Sequence, residues 1–145
     1  PQFEENLRIH AATCDFDVKF LGEVADEQLY RIYDQAHIFS MTSIAYGKSV
    51  EGFGLVYLEA LARGLAVVAH EVCGVSEAVV ANKTGFLISP GQKEKLTAAF
   101  KKLIDSPDLR LEMGQAGLSW ATRYKWADSV QALFPKVNAR PAVKN

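Results

Sequence analysis

The stretch that decides the fold runs Ser49-Val-Glu-Gly-Phe-Gly-Leu-Val-Tyr-Leu-Glu-Ala-Leu-Ala-Arg-Gly64. Gly52 and Gly54 are free to adopt backbone angles that other residues avoid, and they carry no side chain that would keep a ligand away. The apolar run that follows has high helix propensity, and Gly64 stands where helices commonly end. A helix opened by glycines leaves N–H groups without partners at the positive end of its dipole, where anionic or polar oxygens bind. The stretch therefore predicts a ligand site at a turn that leads into a helix.

Two carboxylates, Glu51 and Glu59, bracket this turn and the start of the helix. Glu59 lies among Val56, Leu58 and other apolar residues, so we expect it to be buried and to need polar partners. Arg63 follows four positions later, in the favourable orientation for a helix ion pair worth about 0.3–0.5 kcal/mol on an exposed face. From these residues alone, a ligand-binding carboxylate and a helix ion pair are equally good interpretations.

Length and composition are those of one soluble globular domain. The chain has 145 residues, of which 49% are hydrophobic and 23% charged, enough to build a proper core. A formal net charge of -1 gives no electrostatic argument for nucleic acid. The sequence shows neither a signal peptide nor an apolar run near the roughly 18 residues that span a bilayer, so a cytoplasmic location is expected. Lys101 and Lys102 are too few to indicate a membrane-binding face.

The two cysteines, Cys14 and Cys73, have no zinc-ligand spacing and suggest no disulfide framework, so we interpret them as free, packed thiols. His70 at a strand end is interpreted as a satisfied loop histidine. Trp120 and Trp126 are expected to close the core.

Hydrophobic periodicity predicts strands at 18–21, 37–41, 65–69 and 86–89. Helices are predicted at 3–13, from Asp26 to about residue 33, and at 55–62, 75–80, 92–105, 106–123 and 126–137. The domain would cover 1–137, with 138–145 a loose tail. Within the 106–123 helix we expect Leu111, Gly114, Leu118 and Ala121 to face inward. Unbroken apolar strands alternating with helices indicate a parallel sheet covered on both faces, with ligands beyond the carboxyl ends of the strands. Residues 51–55 are predicted to lie at that edge.

Linked motifs make a family resemblance specific. The run Glu51-Gly-Phe-Gly-Leu-Val-x-Leu-Glu59 is followed by Gly64-Leu-Ala-Val-Val-Ala, Cys73-Gly-Val-Ser-Glu77 and Thr84-Gly-Phe-Leu-Ile-Ser-Pro-Gly. Together they resemble the C-terminal, donor-binding domain of retaining GT-B glycosyltransferases of group 1, which carry an E-x7-E motif. The resemblance implies a Rossmann-like parallel sheet flanked by helices. It covers nearly the whole chain from about Val18 onward.

The resemblance also implies a nucleotide-sugar site. Glu59 would accept hydrogen bonds from both ribose hydroxyls, and Glu51, the expected catalytic residue, would face the sugar near its anomeric carbon. Leu55 and Val56 amides would approach the diphosphate. The remaining donor-binding positions implied by the family are Gly52, Phe53 and Gly54 at the sugar hydroxyls, Val24 beside the base, and Ser43. Glu77 matches a family position, although capping or a salt bridge would equally explain it.

By this resemblance the whole enzyme would transfer a hexose from a donor such as UDP-glucose or GDP-mannose to a glycan or lipid-linked acceptor. The anomeric configuration would be retained, no metal or other cofactor would be needed, and the helix amides would stabilise the leaving diphosphate. A peripheral membrane association of the parent enzyme stays open. Alternatives are a non-catalytic binding subunit of a split enzyme and, disfavoured by the motif spacing, a sugar-nucleotide epimerase of the same fold.

The sequence departs from the family pattern at its beginning. The first two strands of the domain, the basic pair after the first strand and the N-terminal acceptor domain have no counterpart here, so we expect the chain alone to be inactive. Lys48 is a conceivable cation near the site but does not match that pair. In the strand order 3-2-1-4-5-6 of doubly wound sheets, the 18–21 strand would be strand 3. The missing strands 1 and 2 would lie between it and the 37–41 strand, which leaves a gap in the sheet. A complementing chain would fill this gap, or the strands would close up into another order.

Overall fold

The computed structural model describes residues 2–44, 52–125 and 127–128. The chain divides into two compact units, Pro1–Arg31 and Ile32–Asn145. Predictions for Glu51, Lys48, Trp126 and the last helix lie outside the described residues.

The first unit contains helix α1, Gln2–Ala11, and the beginning of helix α2, Asp26–Gln35. In α1, Arg8 pairs with Glu4 at 2.8 Å, and its guanidinium lies 4.4 Å from the centre of the Phe20 ring. Both helices were predicted, and α1 ends two residues earlier than expected.

The strand predicted at 18–21 is wrong. These residues are not in a strand, and the sheet of the described residues consists of three other strands. A β-strand is stabilised by hydrogen bonds to a neighbouring strand, and none of the described strands pairs with this segment. Neither the gapped strand order nor direct pairing of 18–21 with the 37–41 strand is therefore formed among the described residues.

The second unit is built on a parallel sheet with the order β1-β2-β3. Its strands are β1, Ile38–Met41, β2, Ala66–His70, and β3, Gly85–Ile88. All three were predicted to within one residue at each end. Strand β2 is buried over four of its five residues, whereas β1 is only half-buried. The sequence predicts a sheet covered on both faces, and β1 departs from this, because Ile38, Phe39 and Met41 are half-buried and Ser40 is exposed.

The core lies on both faces of β2, because its side chains alternate between them. Val67 and Ala69 pack into one cluster, and Ala66 and Val68 into the other. Helices α3, Leu55–Leu61, and α4, Val75–Ala78, together with Val79, supply the other buried residues of the first cluster. Helices α5, Lys93–Asp105, and α6, Pro107–Ala121, cover the second. The α/β Rossmann-like architecture is confirmed.

Helix α6 begins as the sequence predicts, because the Ser106 side chain accepts a hydrogen bond from the Leu109 N–H at 3.3 Å. Its inward face agrees with the prediction only in part: Gly114 is buried, and Ala121 is half-buried against the first cluster. Leu111 and Leu118 are 62% and 43% exposed, and the buried residues of the helix are Met113, Gly114 and Gly117. The two glycines allow close approach: a Cβ on Gly114 would lie 2.1 Å from the carbonyl oxygen of Gly64. Close packing through small residues therefore set the orientation of α6.

Trp120 packs against the first cluster as predicted, and its Nε1–H donates to the carbonyl of Ala78 at 2.9 Å. Cys14 and Cys73 are free but exposed, which corrects the expectation that both are packed. In the part of the chain that the structure describes, each helix is too short or too polar to cross a membrane.

Candidate functional site

The glycine turn predicted as a ligand site lies directly before α3 and follows β1 in the sequence. Gly54 is the N-cap residue of α3 and has a φ of 73°, in the left-handed region that favours glycine. The N–H of Tyr57 donates to the Gly54 carbonyl at 3.0 Å, so the helical hydrogen bonds begin there. The amides of Leu55 and Val56 precede that bond, at the end of α3 where N–H groups lack helical partners. A Cβ added to Gly52 would meet no atom within 4 Å, which leaves open space beside this residue.

A second loop, after β2, supports this turn. Gly74 packs directly on the backbone of Gly52, because a Cβ on Gly74 would lie 2.1 Å from the Gly52 carbonyl oxygen. The strand ends are also joined: the ring Nδ1 of His70 lies 3.0 Å from the carbonyl oxygen of Ser43. His70 is thus the satisfied loop histidine that the sequence predicts. These contacts hold the loops after β1 and β2 together at one edge of the sheet.

Glu59 is exposed, not buried, which corrects the sequence prediction. Its Oε2 lies 3.5 Å from the hydroxyl of Tyr33, which can donate a long hydrogen bond to it. Arg63 pairs with Asp34, with Nη1 and Oδ1 3.0 Å apart. Arg63, which the sequence suggests as an ion-pair partner of Glu59, therefore pairs with a different carboxylate.

A cavity of about 600 Å³ lies along one side of α3. Among the described residues, two charged side chains line it, Glu59 and Lys125, together with Phe53, Leu55, Leu58, Ala62, Ala121 and Tyr124. Mostly apolar walls with a few charged groups are typical of small-molecule sites. Leu55, Leu58, Glu59 and the C-cap residue Ala62 follow the spacing i, i+3, i+4 and i+7, so one face of α3 lines the cavity. This explains why Glu59 has apolar neighbours and is nevertheless accessible.

Aromatic side chains form the end of the cavity near the turn. The Phe53 and Tyr124 ring centres are 5.3 Å apart, and Tyr124 lies 5.7 Å from Trp120. The Tyr124 hydroxyl donates to the carbonyl of Glu77 at 2.6 Å. Burial, followed by the nearby Glu77 carboxylate, raises the pKa of Tyr124, and Arg123 opposes this shift. Glu77 itself is exposed, and its carbonyl anchors this aromatic group.

Sequence reasoning missed Lys125 and Tyr124 as cavity residues. Both follow α6, more than sixty positions after Glu59 in the sequence, and only the packing of α6 beside α3 brings them to the cavity. The spacing of Trp120 and Tyr124 indicates a helical aromatic pair but not its location. Val24 belongs to the other unit, and its role beside a base stays a prediction.

The family model described as "Glycosyl transferases group 1" matches residues 2–120. The chain belongs to this family. Among curated group 1 relatives, it is 35% identical over 127 residues to a GDP-mannose-dependent alpha-(1-6)-phosphatidylinositol monomannoside mannosyltransferase of Mycobacterium tuberculosis. That match covers 84% of this chain and 33% of the relative. The chain thus spans about a third of the length of this relative.

Solved structures of glycosyltransferases have the same fold. Sucrose-phosphate synthase from Thermosynechococcus elongatus matches with a TM-score of 0.79 and 26% identity, over 95% of this chain and 34% of that one. The C-terminal domain of a glycosyl transferase group 1 family protein (LpcC) from Francisella tularensis matches with a TM-score of 0.67 and 28% identity, over 84% of this chain and 60% of that one. The resemblance to the C-terminal domain of a group 1 glycosyltransferase is confirmed.

Proposed function

We propose that this group 1 glycosyltransferase domain binds a nucleotide-sugar donor through the turn at 52–54 and the face of α3 that carries Glu59. The observation that carries the proposal is the position of Glu59, exposed on the wall of the cavity and one helical turn beyond the glycine turn. A carboxylate accepts hydrogen bonds at both oxygens. It therefore suits the vicinal hydroxyls of a ribose.

The other donor contacts follow from the same placement. The amides of Leu55 and Val56 are close to the glycine turn and would bind the diphosphate, where the end of the helix dipole favours negative charge. The amides of Gly52, Phe53 and Gly54 would contact sugar hydroxyls, since the space beside Gly52 is open. Ser43 lies at the same edge of the sheet, and its carbonyl is already bonded to His70.

The whole protein would transfer a hexose from a donor such as GDP-mannose or UDP-glucose to a glycan or lipid-linked acceptor with retention of configuration. The name of the mycobacterial relative supports a nucleotide-sugar donor. Glu51 would supply negative charge near the developing positive charge at the anomeric carbon. Helix amides would stabilise the leaving diphosphate, and no metal would be required.

Isothermal titration calorimetry of the 145-residue chain with UDP, GDP and their sugars tests this proposal. Glu59→Gln removes the charge and keeps the size, and losing charged hydrogen bonds should weaken binding by about 1–3 kcal/mol, or roughly 5- to 150-fold. Glu112→Gln, at an exposed position on α6, is the matched control and should bind as the unmodified chain does. Equal affinities for all three proteins, or no nucleotide binding at millimolar concentration, would overturn the proposal.

A further inference from the structure

Tyr33 is the residue whose hydroxyl lies against the Glu59 carboxylate. It lies on α2, where it is the one buried residue, with 7% of its surface exposed. Its hydroxyl and Glu59 Oε2 are 3.5 Å apart, although the residues are 26 positions apart in the sequence. A buried ring thus brings a polar group to an exposed carboxylate at the wall of the cavity.

The core holds the ring of Tyr33 in place. Tyr33 and Phe39 have ring centres 6.0 Å apart, and Phe39 meets the Tyr57 ring edge-on at 5.9 Å. Tyr57 is fully buried and its hydroxyl donates to the Met41 carbonyl at 3.1 Å. This chain of aromatic contacts connects Tyr33 to the carboxyl end of β1. Packing of the ring therefore restricts where the Tyr33 hydroxyl can lie.

The electrostatics keep Tyr33 a hydrogen-bond donor. Burial, followed by the charge of Glu59 and the hydrogen bond to it, raises the pKa of Tyr33 above its ordinary value. Asp34 beside it is paired with Arg63. At neutral pH the Tyr33 hydroxyl is therefore protonated, and it can donate its hydrogen to the Glu59 carboxylate.

We propose that Tyr33 is a positioning residue that holds the Glu59 carboxylate in the orientation in which it accepts both hydroxyls of a vicinal diol. This inference rests on the proposed function of Glu59. An exposed glutamate samples several rotamers, and a ligand that fixes it reduces this freedom. A bond from a rigid tyrosine restricts the carboxylate before the ligand arrives, which favours binding. One bond to Oε2 still leaves acceptor positions on both oxygens, because a carboxylate has about four lone-pair sites.

The test is a calorimetric comparison of a ribonucleoside diphosphate with its 2′,3′-dideoxy analogue. Tyr33→Phe keeps the ring and removes the hydroxyl. We expect it to weaken binding of the ribonucleotide by about three- to tenfold, the effect of one hydrogen bond, and to change the affinity for the dideoxy analogue by less than about twofold. In the Glu59→Gln background the same substitution should have no further effect on ribonucleotide binding.

A matched control removes the hydroxyl of a second tyrosine, Tyr124, which lines the cavity. Tyr124 donates to the Glu77 carbonyl and not to Glu59, so Tyr124→Phe should leave the ratio of the two affinities unchanged. Near-ultraviolet circular dichroism of each variant checks that its aromatic core is intact. Because Tyr33→Phe retains the ring contact with Phe39, we expect it to fold.

The outcomes separate this inference from the proposed function. If the unmodified chain binds ribonucleotide and dideoxy analogue equally, and Glu59→Gln has no effect, the proposed function fails. If Glu59→Gln abolishes the discrimination but Tyr33→Phe preserves it, only the role of Tyr33 is wrong. Equal weakening of both ligands by Tyr33→Phe would also overturn the inference, since it would indicate a purely structural role.

Discussion

Replacing Gly74 with alanine should disturb the candidate site through a single backbone contact. Gly74 has a φ of -81° and a ψ of 2°, angles that alanine also adopts, so the substitution introduces no backbone strain of its own. Its new Cβ, however, would lie 2.1 Å from the Gly52 carbonyl oxygen and 3.0 Å from the carbonyl carbon. The perturbation is therefore a steric collision with the glycine turn.

The magnitude follows from these distances. Real Cβ atoms essentially never approach another heavy atom closer than 3.0 Å, so the Cβ and the Gly52 oxygen must separate by about 0.9 Å or more. Both groups belong to backbone and have no flexible side chain that could rotate away. Overpacking of this kind lowers the free energy of unfolding by about 1–3 kcal/mol. A shift of the Gly52 turn should also weaken nucleotide binding by about tenfold, the loss of one or two well-placed hydrogen bonds.

Gly114→Ala provides the matched control. Its Cβ would meet the Gly64 carbonyl at the same distances, 2.1 Å from the oxygen and 3.0 Å from the carbon, but Gly64 lies beyond the far end of α3. Because Gly114 is within α6, alanine also recovers up to about 1 kcal/mol of helix propensity. Urea unfolding followed by tryptophan fluorescence gives the stabilities, and calorimetry gives the nucleotide affinities under conditions where both variants are folded.

We expect both variants to be destabilised and only Gly74→Ala to lose affinity. Unchanged stability of Gly74→Ala would contradict the contact between the loops after β1 and β2. Equal affinities of the two variants, with both destabilised, would show that the position of the Gly52 turn does not matter for binding.

Three further substitutions test individual hydrogen bonds of the fold. The pKa of Tyr33 is raised above 10.0, so the stability contributed by its protonated hydroxyl is complete below about pH 10 and is lost as the pH rises through the folded-state pKa. In this range the free energy of unfolding should fall more steeply for the unmodified chain than for Tyr33→Phe. Equal slopes of the unfolding free energy against pH, measured in urea titrations, would refute this. Thr84→Val leaves the Val80 N–H, now bonded to the Thr84 hydroxyl at 3.0 Å, without its partner. Unfolding in urea should therefore show a loss of about 1–3 kcal/mol in the free energy of unfolding. A loss below about 0.5 kcal/mol would contradict a stabilising role of this hydrogen bond. Arg110→Met removes a guanidinium that donates to the Leu103 carbonyl at the end of α5. Thermal unfolding should show a loss of about 1 kcal/mol in the free energy of unfolding. An unchanged melting temperature would mean that this hydrogen bond does not stabilise the fold.

Local sequence patterns predicted the central part of the fold well. Strand β2 coincides to within one residue with the unbroken apolar run 65–69, and Ser106-Pro107 marks the start of α6 with a cap and a proline. These features act within a few residues of the chain. The prediction of a strand at 18–21 was wrong because a strand forms only with a partner strand, and no local sequence pattern reveals whether that partner is present.

The chemistry of the site was predicted less completely than its position. Glu59 was expected to be buried, since an apolar helix face predicts a core in the same way whether it covers the sheet or lines a cavity. Lys125 was missed because only the packing of α6 beside α3 brings it near Glu59. Tyr33 falls at the end of the helix predicted from Asp26 to about residue 33, but its hydroxyl contact with Glu59 depends on tertiary structure.

The central claim is that nucleotide binds at the turn before α3 and along the face of Glu59. Nuclear magnetic resonance of the isotopically labelled chain, titrated with a nucleoside diphosphate, tests it most directly, because each backbone amide reports its own surroundings. We predict the largest chemical-shift changes at residues 52–56 and at Glu59, with only small changes along α5 on the other face of the sheet. Changes that are largest on α5, or an absence of changes at 52–59 when nucleotide is bound, would contradict the account.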